Sequence, residues 1–462
     1  MSRHFHILTF GCQMNVNDSH WLREALISCG YTESTLSASD VVLLNTCSVR
    51  EKPQLKVSSQ IARIYAETGK NPDVVVGILG CVAQQTGEAF FAASPQVRLV
   101  AGPDHLAEVP ALLERLLAEP KLTISLLTFT DQYQERDRKG LSPSGPSAFV
   151  NIMQGCDKFC TYCIVPFTRG RQKSRTAQAI LDECRQKIAL GASELTLLGQ
   201  NVNAFGKDTS AEKMSFAELL AEIDALPGLK RLRYTSPHPK DMEAEDIEAF
   251  ATLSTLCPSL HLPLQSGSTR VLRRMARGYS RSDYLALVEK LRAAKPDLAL
   301  TTDIIVGFPG ERDEDLEETL EVMTACSFRA SYSFCYSDRP PAKASTYLDK
   351  IASDVSHQRL NKVQALQEEL SARLLEKLLG TRTSVLLEGR SRREQKGIIS
   401  WQGRDPYGNL VHVPFEDDCD HTGRLIEVMI TSHAKHCLFA TQNLHAEHIS
   451  EKGTLCVERN GL

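Results

Sequence analysis

"FVNIMQGCDKFCTYCIVPFTRGRQKSR", residues 149–175, places Cys156, Cys160 and Cys163 within eight positions. Lys158, Arg169, Arg171, Lys173 and Arg175 crowd the same stretch around a single acid, Asp157. A structural zinc site needs a fourth Cys or His nearby, usually in a second pair. The next cysteine is Cys184, at core spacing with Leu181 and Ile188 on a helical pattern. A thioredoxin-like pair made of Cys160 and Cys163 leaves Cys156 without a task. A [4Fe–4S] cluster normally takes four thiolates. Three thiolates leave one iron with an open position, as a metal site must when it binds substrate.

The cysteine run follows a strand-like piece, "AFVNIM", and five more strand patterns come after it: "ELTLLG", "RLRYTS", "SLHLPLQ", "LTTDIIVGF" and "RASYSFCYS". Helical patterns such as 177–190 and 283–294 separate them. Six βα units fall short of the eight that close a barrel, so residues 148–378 predict a partial (β/α)6 barrel ending in a long polar helix from about 353. In "SLHLPLQ" one face carries Leu260, Leu262 and Leu264 and the other His261 and Gln265. Thr235 and Asp303 take comparable places on their strands, so a polar inner face should hold a ligand. His238 and His261 fit acid–base work, metal ligation or a structural place on that face. "VGFPGE" has too few glycines for a dinucleotide loop.

Residues 1–118 alternate in the same way, with strand patterns "FHILTF", "VVLLNT", "VVVGILG" and "VRLVAG". Alternation of strands and helices predicts an open parallel α/β sheet. Cys12, Cys47 and Cys81 each fall just past a strand, at intervals of about 35 residues. Parallel strands share one C-terminal edge, so these three should converge there. Cys29 differs: its spacing from Leu22, Ala25 and Leu26 predicts a core position. Residues 119–147 read as a connector, with "TISLLTF" inside it and "GLSPSGPS" at its end.

Residues 379–442 read as short strands with turns, among them "RTSVLLEG", "KGIISWQG", "NLVHVPF" and "GRLIEVMIT", which predict a small β-barrel. Arg390, Arg392, Arg393, Lys396 and Arg404 give it a basic side, and residues 443–462 form a tail. The chain has 462 residues, 42% hydrophobic and 24% charged, as in ordinary globular proteins. No apolar run approaches a membrane span. The start of the chain shows no signal-peptide pattern, so its 14 cysteines are expected in a reducing, cytoplasmic setting. A net charge of −4 neither favours nor excludes nucleic acid, which needs only a local basic patch. Cys257, Cys326, Cys335, Cys419, Cys437 and Cys456 have no metal-ligand spacing and are expected to be structural.

The C-x3-C-x2-C spacing, with Tyr162 before the last cysteine, resembles the signature of radical S-adenosylmethionine enzymes. Together with "TFGCQMNVNDS", "LLNTCSVREKPQLKV", "GILGCVAQQ", "LLGQNVNAFG" and "HLPLQSGSTRVLRRMARGYSR", it makes the whole chain similar to the methylthiotransferase family. The resemblance implies a [4Fe–4S] cluster on Cys156, Cys160 and Cys163 that cleaves S-adenosylmethionine to a deoxyadenosyl radical. It implies an auxiliary [4Fe–4S] cluster on Cys12, Cys47 and Cys81 that presents sulfur for methylation, and an RNA-gripping TRAM, or OB-like, barrel at the C-terminus. All six cysteines are therefore expected to be catalytic. Gln200, Gln265 and Asp303 are expected S-adenosylmethionine contacts. Arg169, Arg171, Lys173, Arg175, Arg390, Arg392, Arg393 and Lys396 are expected to follow RNA phosphates.

"NTCSVREK" and "RYTSPHPKD" look like the branch of the family acting on N(6)-isopentenyladenosine at position 37 of tRNA, in the anticodon loop. The alternatives are methylthiolation of threonylcarbamoyladenosine in tRNA or of an aspartate in a ribosomal protein. More distant is a non-catalytic iron–sulfur RNA-binding protein. A reductant such as flavodoxin or ferredoxin and action as a monomer are expected; the sulfur donor is open.

Overall fold

The computed structural model describes residues 3–48, 51–136, 145–208, 213–392 and 399–442. The chain divides into two compact units, Met1–Leu366 and Gln367–Leu462.

The first unit begins with a parallel sheet of six strands: β1 (His4–Phe10), β2 (Thr32–Glu33), β3 (Val41–Thr46), β4 (Val75–Gly80), β5 (Val97–Ala101) and β6 (Ile124–Leu126), in the order β2-β1-β3-β4-β5-β6. Residues of β3 and β4 are buried throughout, as expected where helices cover both faces of a parallel sheet. Strand alternation then sorts the side chains. Val41 and Leu43 pack with Leu22 and Leu26 of α1 (Gln13–Ser28) on one face. Val42 and Leu44 pack on the other with Val57, Ile61 and Ile64 of α2 (Glu51–Glu67). Two short or shallow features depart from expectation. "TISLLTF" supplies β6, which pairs with β5, so the sheet extends into the stretch read as a connector. Cys29 caps α1 and is exposed, because the helix ends there and its last turn leaves the core.

The same unit continues with β7 (Ser147–Asn151), β8 (Met153–Gln154), β9 (Lys173–Ser174), β10 (Glu194–Leu198), β11 (Arg231–Tyr234), β12 (Ser259–His261), β13 (Ala299–Val306) and β14 (Ala330–Cys335). All six expected strands form, as two parallel sheets, β11-β10-β7 and β12-β13-β14. A single parallel bridge, Leu232 to Leu256, extends β11 toward the second sheet. This is the partial barrel that the sequence predicts. Leu260, Leu300 and Ile304 are buried, whereas Asp303 sits opposite Tyr332 on the other face, with His261 packed against the Tyr332 ring. β8 and β9 pair antiparallel and close the cysteine loop at its base, so residues 155–172 are held at both ends.

The second unit is a closed barrel of β15 (Arg382–Arg390), β16 (Ile399–Arg404), β17 (Leu410–Phe415), β18 (Leu425–Ala434) and β19 (Cys437–Thr441), in the order β15-β16-β17-β19-β18. The fifth strand was not among the sequence patterns. Trp401, Val411, Val413, Val428, Ile430 and Leu438 fill its core.

Candidate cluster sites

Register makes the first site. Phe10 on β1 pairs with Thr46 on β3, which pairs with Gly80 on β4, so three strands end in one row. Cys12, Cys47 and Cys81 follow within two residues of that row. Gly80 holds φ +85°, and a Cβ there would lie 2.7 Å from both Asn45 Oδ1 and the Thr46 carbonyl oxygen. Only glycine permits Cys81 to enter the next helix at this distance from its neighbour strand. The three thiols interact directly. Hydrogen bonding with Cys47 lowers Cys12 and Cys81 to about 6, and the Cys47 thiol is pushed far up in return.

A polar network not among the expected site residues surrounds this triad. Asn15 accepts from Cys12 Sγ at 3.2 Å and donates to Asn45 Oδ1 at 2.8 Å. Arg169 arrives from the cysteine loop between β8 and β9, and its Nε donates to Cys81 Sγ at 3.2 Å. Burial opposes its charge, but Cys81, Asp18, Cys12 and Cys47 hold the guanidinium firmly protonated. Asp18 also takes a 2.7 Å ion pair from buried Arg136. The spacing Cys12–Asn15–Asp18–Ser19 on one helical face was the available signal.

The second triad lies on the loop after β7. Cys156 and Cys160 are buried and Cys163 is half-buried. Gly155 has φ +80°, and a Cβ there would meet the Arg171 carbonyl oxygen at 2.0 Å, so the loop can close on itself only with glycine before Cys156. Cys156 N donates to the Gly170 carbonyl at 3.2 Å. Burial pushes the Cys156 thiol up to about 11 and Cys163 to about 12. Arg277 Nη1 lies 3.5 Å from Cys160 Sγ and donates at 3.3 Å to Tyr162 Oη.

Both triads suit an iron–sulfur group by their chemistry: three soft sulfur donors, buried except for exposed Cys12 and half-buried Cys163, and a buried guanidinium on one sulfur of each. Among the described residues no group of His, Cys, Asp or Glu closes around a single metal ion. A cubane spreads its thiolates over separate irons, so it does not require that closure.

The other expected contacts divide. Gln200 accepts from Gly155 N at 2.6 Å and its amide nitrogen touches Met14, so its side chain ties the cysteine loop to α1. Gln265 is buried with left-handed backbone (φ +71°), its N–H on the Asp303 carbonyl. Asp303 Oδ2 lies 3.3 Å from His261 Nε2, on the open inner face.

The phosphate-track reading of the basic run fails for three of its four arginines and lysines after Cys163. Arg169 is buried as described. Lys173 Nζ pairs with Asp104 at 2.5 Å, both nearly inaccessible. Arg175 bonds Glu183 at 2.5 Å, Glu135 at 2.8 Å and the Asn151 carbonyl at 2.7 Å. The β8–β9 pairing turns these side chains inward. Arg171 alone stays out, its side chain 70% exposed beside Asp157 and over the Phe159 ring. In the barrel, Arg390 is exposed and paired with Asp418, and Arg392 is exposed; Arg393 and Lys396 lie outside the described residues.

His238 packs edge-on against the Tyr279 ring, 5.8 Å between centroids. Its Nδ1 accepts from Lys240 N at 3.2 Å, and its buried Nε2 has no hydrogen-bond partner among the described residues. Burial, then Arg277, Lys158 and Lys240, lower its pKa to about 2. The folded chain therefore keeps His238 neutral at pH 5 while the unfolded chain protonates it. Stability from this group is complete above about pH 6.5 and falls with pH below it, by about 2 kcal/mol at pH 5. Urea unfolding at pH 7 and pH 5 should show that loss in the native chain and a loss smaller by about this amount in His238→Gln. Equal losses in the two chains would reject it.

Comparison with known proteins supplies the context. Residues 150–323 match the model of the Radical SAM superfamily, and residues 4–102 match "Uncharacterized protein family UPF0004". The radical S-adenosylmethionine methyltransferase TsrM from Kitasatospora setae, solved with cobalamin and a [4Fe-4S] cluster, has a TM-score of 0.56 at 16% identity, over 75% of this chain and 77% of that one. That likeness is one of fold. An iron–sulfur cluster and S-adenosylmethionine are the cofactors that the superfamily match supports. The tRNA-2-methylthio-N(6)-dimethylallyladenosine synthase of Nitratidesulfovibrio vulgaris is 53% identical over 443 residues, covering 95% of this chain and 98% of its own. The protein of that name from Lawsonia intracellularis is 49% identical over 451 residues, covering 95% and 99%. At such identity along nearly the full length of both chains, this chain belongs to the family of tRNA-2-methylthio-N(6)-dimethylallyladenosine synthases, radical S-adenosylmethionine tRNA methylthiotransferases.

Proposed function

We propose that the chain attaches a methylthio group to carbon 2 of N(6)-isopentenyladenosine at position 37 of tRNA, using two separate [4Fe–4S] clusters. The observation that carries this reading is the presence of two three-thiol sets on one unit, linked by a single short segment. Cys163 stands at one end of that segment and Arg169, against Cys81, at the other. A protein needing one structural cluster has no use for the second set. Loaded, the loop cluster with S-adenosylmethionine supplies a radical able to take hydrogen from carbon 2, and the auxiliary cluster supplies the sulfur that is methylated and transferred.

The chain's own residues have distinct tasks in this reading. Cys156, Cys160 and Cys163 hold the radical-forming cluster, and Arg277 steadies Cys160 through its 3.5 Å contact. Cys12, Cys47 and Cys81 hold the auxiliary cluster. Asp303 and His261, on the open inner face beside the half-exposed Tyr332 ring, contact S-adenosylmethionine or the base. Gln265 helps through its strained backbone, a conformation that persists where surrounding structure enforces it. The target adenine must leave its stack to reach this face, at a cost of roughly a few kcal/mol, less for an unpaired loop base. The barrel, as a TRAM domain, grips RNA. A flavodoxin- or ferredoxin-type reductant supplies electrons, and one chain acts alone in the cytoplasm.

The test is nucleoside mass spectrometry of isopentenyladenosine-containing tRNA after anaerobic incubation with reconstituted protein, S-adenosylmethionine, sulfide and reductant. The 2-methylthio nucleoside is the expected product. Deoxyadenosine without tRNA modification would reject this substrate, and the threonylcarbamoyl tRNA and the ribosomal protein would be assayed next.

Phosphate contacts should be confined to the exposed cations. Arg171→Ala is expected to lower the dependence of log K for tRNA on log salt by about 0.7–0.9, the contribution of one phosphate. An unchanged slope, measured by binding at several salt concentrations, would remove Arg171 from the interface.

A further inference from the structure

The Arg169 side chain is only 3% exposed, yet most of its hydrogen-bonding capacity is unused. Its Nε serves Cys81 Sγ at 3.2 Å. Among the described residues neither Nη1 nor Nη2 has a hydrogen-bond partner, and the ion pair from Nη2 to Asp18 Oδ2 is long, at 3.7 Å. A guanidinium carries five N–H donors, and leaving charged donors unmet in a buried place costs more than the roughly 1–3 kcal/mol of a neutral group.

The local charges point the same way. Arg169 and Arg136 both approach Asp18, and Asp18 is already engaged by Arg136 at 2.7 Å, with Asn151 Nδ2 at 3.5 Å. Two buried guanidinium groups thus share one carboxylate, and the thiols that balance the charge reach Arg169 only through its Nε, on Cys81. A charged donor bonds most strongly to an anionic acceptor, so the open Nη atoms of the Arg169 fork favour an anion. β8–β9 and the Cys156–Gly170 hydrogen bond fix the loop that carries Arg169, so the fork stands ready before anything binds.

We propose that Arg169 is the anion-binding residue of the auxiliary site, whose unspent Nη donors hold an anionic sulfur, hydrosulfide or alkylthiolate, beside Cys81. The inference rests on the reading that the auxiliary site presents sulfur for methylation. It adds the residue that holds that sulfur, and places it on the same segment as Cys163.

The experiment uses full-length protein carrying Cys156→Ala, Cys160→Ala and Cys163→Ala, reconstituted so that only the auxiliary cluster remains. Reduced samples are titrated with methanethiolate in one arm and hydrosulfide in another, and the cluster's electron paramagnetic resonance spectrum is followed. Arg169, Arg169→Lys and Arg169→Gln are compared at matched iron content. The expected result is a spectral change with Arg169 and binding weakened about tenfold or more in Arg169→Gln, with Arg169→Lys between them. The arm that saturates at lower concentration names the preferred sulfur species. Equal affinity in Arg169 and Arg169→Gln would overturn the inference and leave the proposed function standing. If Arg169→Gln retains no iron, Arg169→Lys decides, and unchanged affinity in it overturns the inference. No response from Arg169 protein to either sulfur anion would overturn the sulfur-presenting reading itself.

Discussion

Cys156→Ala should abolish deoxyadenosine formation, whereas Cys81→Ala should leave it and abolish only the methylthio nucleoside. Each effect should exceed the roughly 10–100-fold that loss of a mere outer partner costs at a metal site. The separation follows from where the thiols lie. Cys156, Cys160 and Cys163 share one loop, closed at its base by β8 and β9. Cys12, Cys47 and Cys81 are held by three strands of another sheet, in a register that does not depend on that loop. Removing Cys81 takes a ligand from the strand-end triad and a hydrogen-bond acceptor from Arg169, but nothing from the loop's own bonds. Deoxyadenosine and modified nucleoside are measured in one anaerobic reaction, with iron content for each variant. Methylthiolation surviving in Cys81→Ala would end the auxiliary assignment. Loss of deoxyadenosine in Cys81→Ala would mean that the two sites do not act separately, and the segment from Cys163 to Arg169 would be the place to seek the reason.

Much of this arrangement could be read from the sequence because it depends on local pattern. The cysteines past "FHILTF", "VVLLNT" and "VVVGILG" needed only parallel pairing to converge, and the in-register pairing of the three strands put Phe10, Thr46 and Gly80 in one row. The open inner face was legible at His261, which alternates with buried Leu260 and Leu262, but not at Gln265, which is buried past the end of β12. The direction of the basic run was not. A two-residue strand, Lys173–Ser174, turns it inward, and strands that short carry no periodicity to detect. Its acidic partners are distant in sequence: Asp104 and Glu135 precede the loop and Glu183 follows on the helix Ala177–Ala189. A string of cations looks the same whether its counter-charges are phosphates or buried carboxylates. Cys29 failed for the opposite reason: helical spacing predicts a face, but not the turn at which a helix leaves its core.

Arg175→Met should destabilise the first unit by about 3–5 kcal/mol, the cost of leaving a buried partner charge behind. Arg175 is almost inaccessible and bonds Glu183, itself fully buried, at 2.5 Å; burial opposes the Arg175 charge, but Glu183 and then Glu135 more than restore it. Lys187, 3.5 Å from Glu183 Oε1, can make up only part of the loss. Glu135 is 42% exposed, so water takes over its share cheaply. The double variant Arg175→Met/Glu183→Leu should recover most of the stability, since well-packed apolar groups often replace a buried pair at little cost. Urea unfolding of the two single variants and the double one gives the coupling directly. Because Arg175 also fixes β9 through the Asn151 carbonyl, the single variant should lose iron from the loop cysteines under milder denaturing conditions than the native chain. The competing assignment predicts a different result. If Arg175 met a tRNA phosphate, Arg175→Met would keep native stability and flatten the salt dependence of tRNA binding by about 0.7–0.9. A stable variant with a flattened slope would therefore return Arg175 to the RNA surface, and an unstable one with an unchanged slope keeps it in the ion-paired core that sets the cysteine loop.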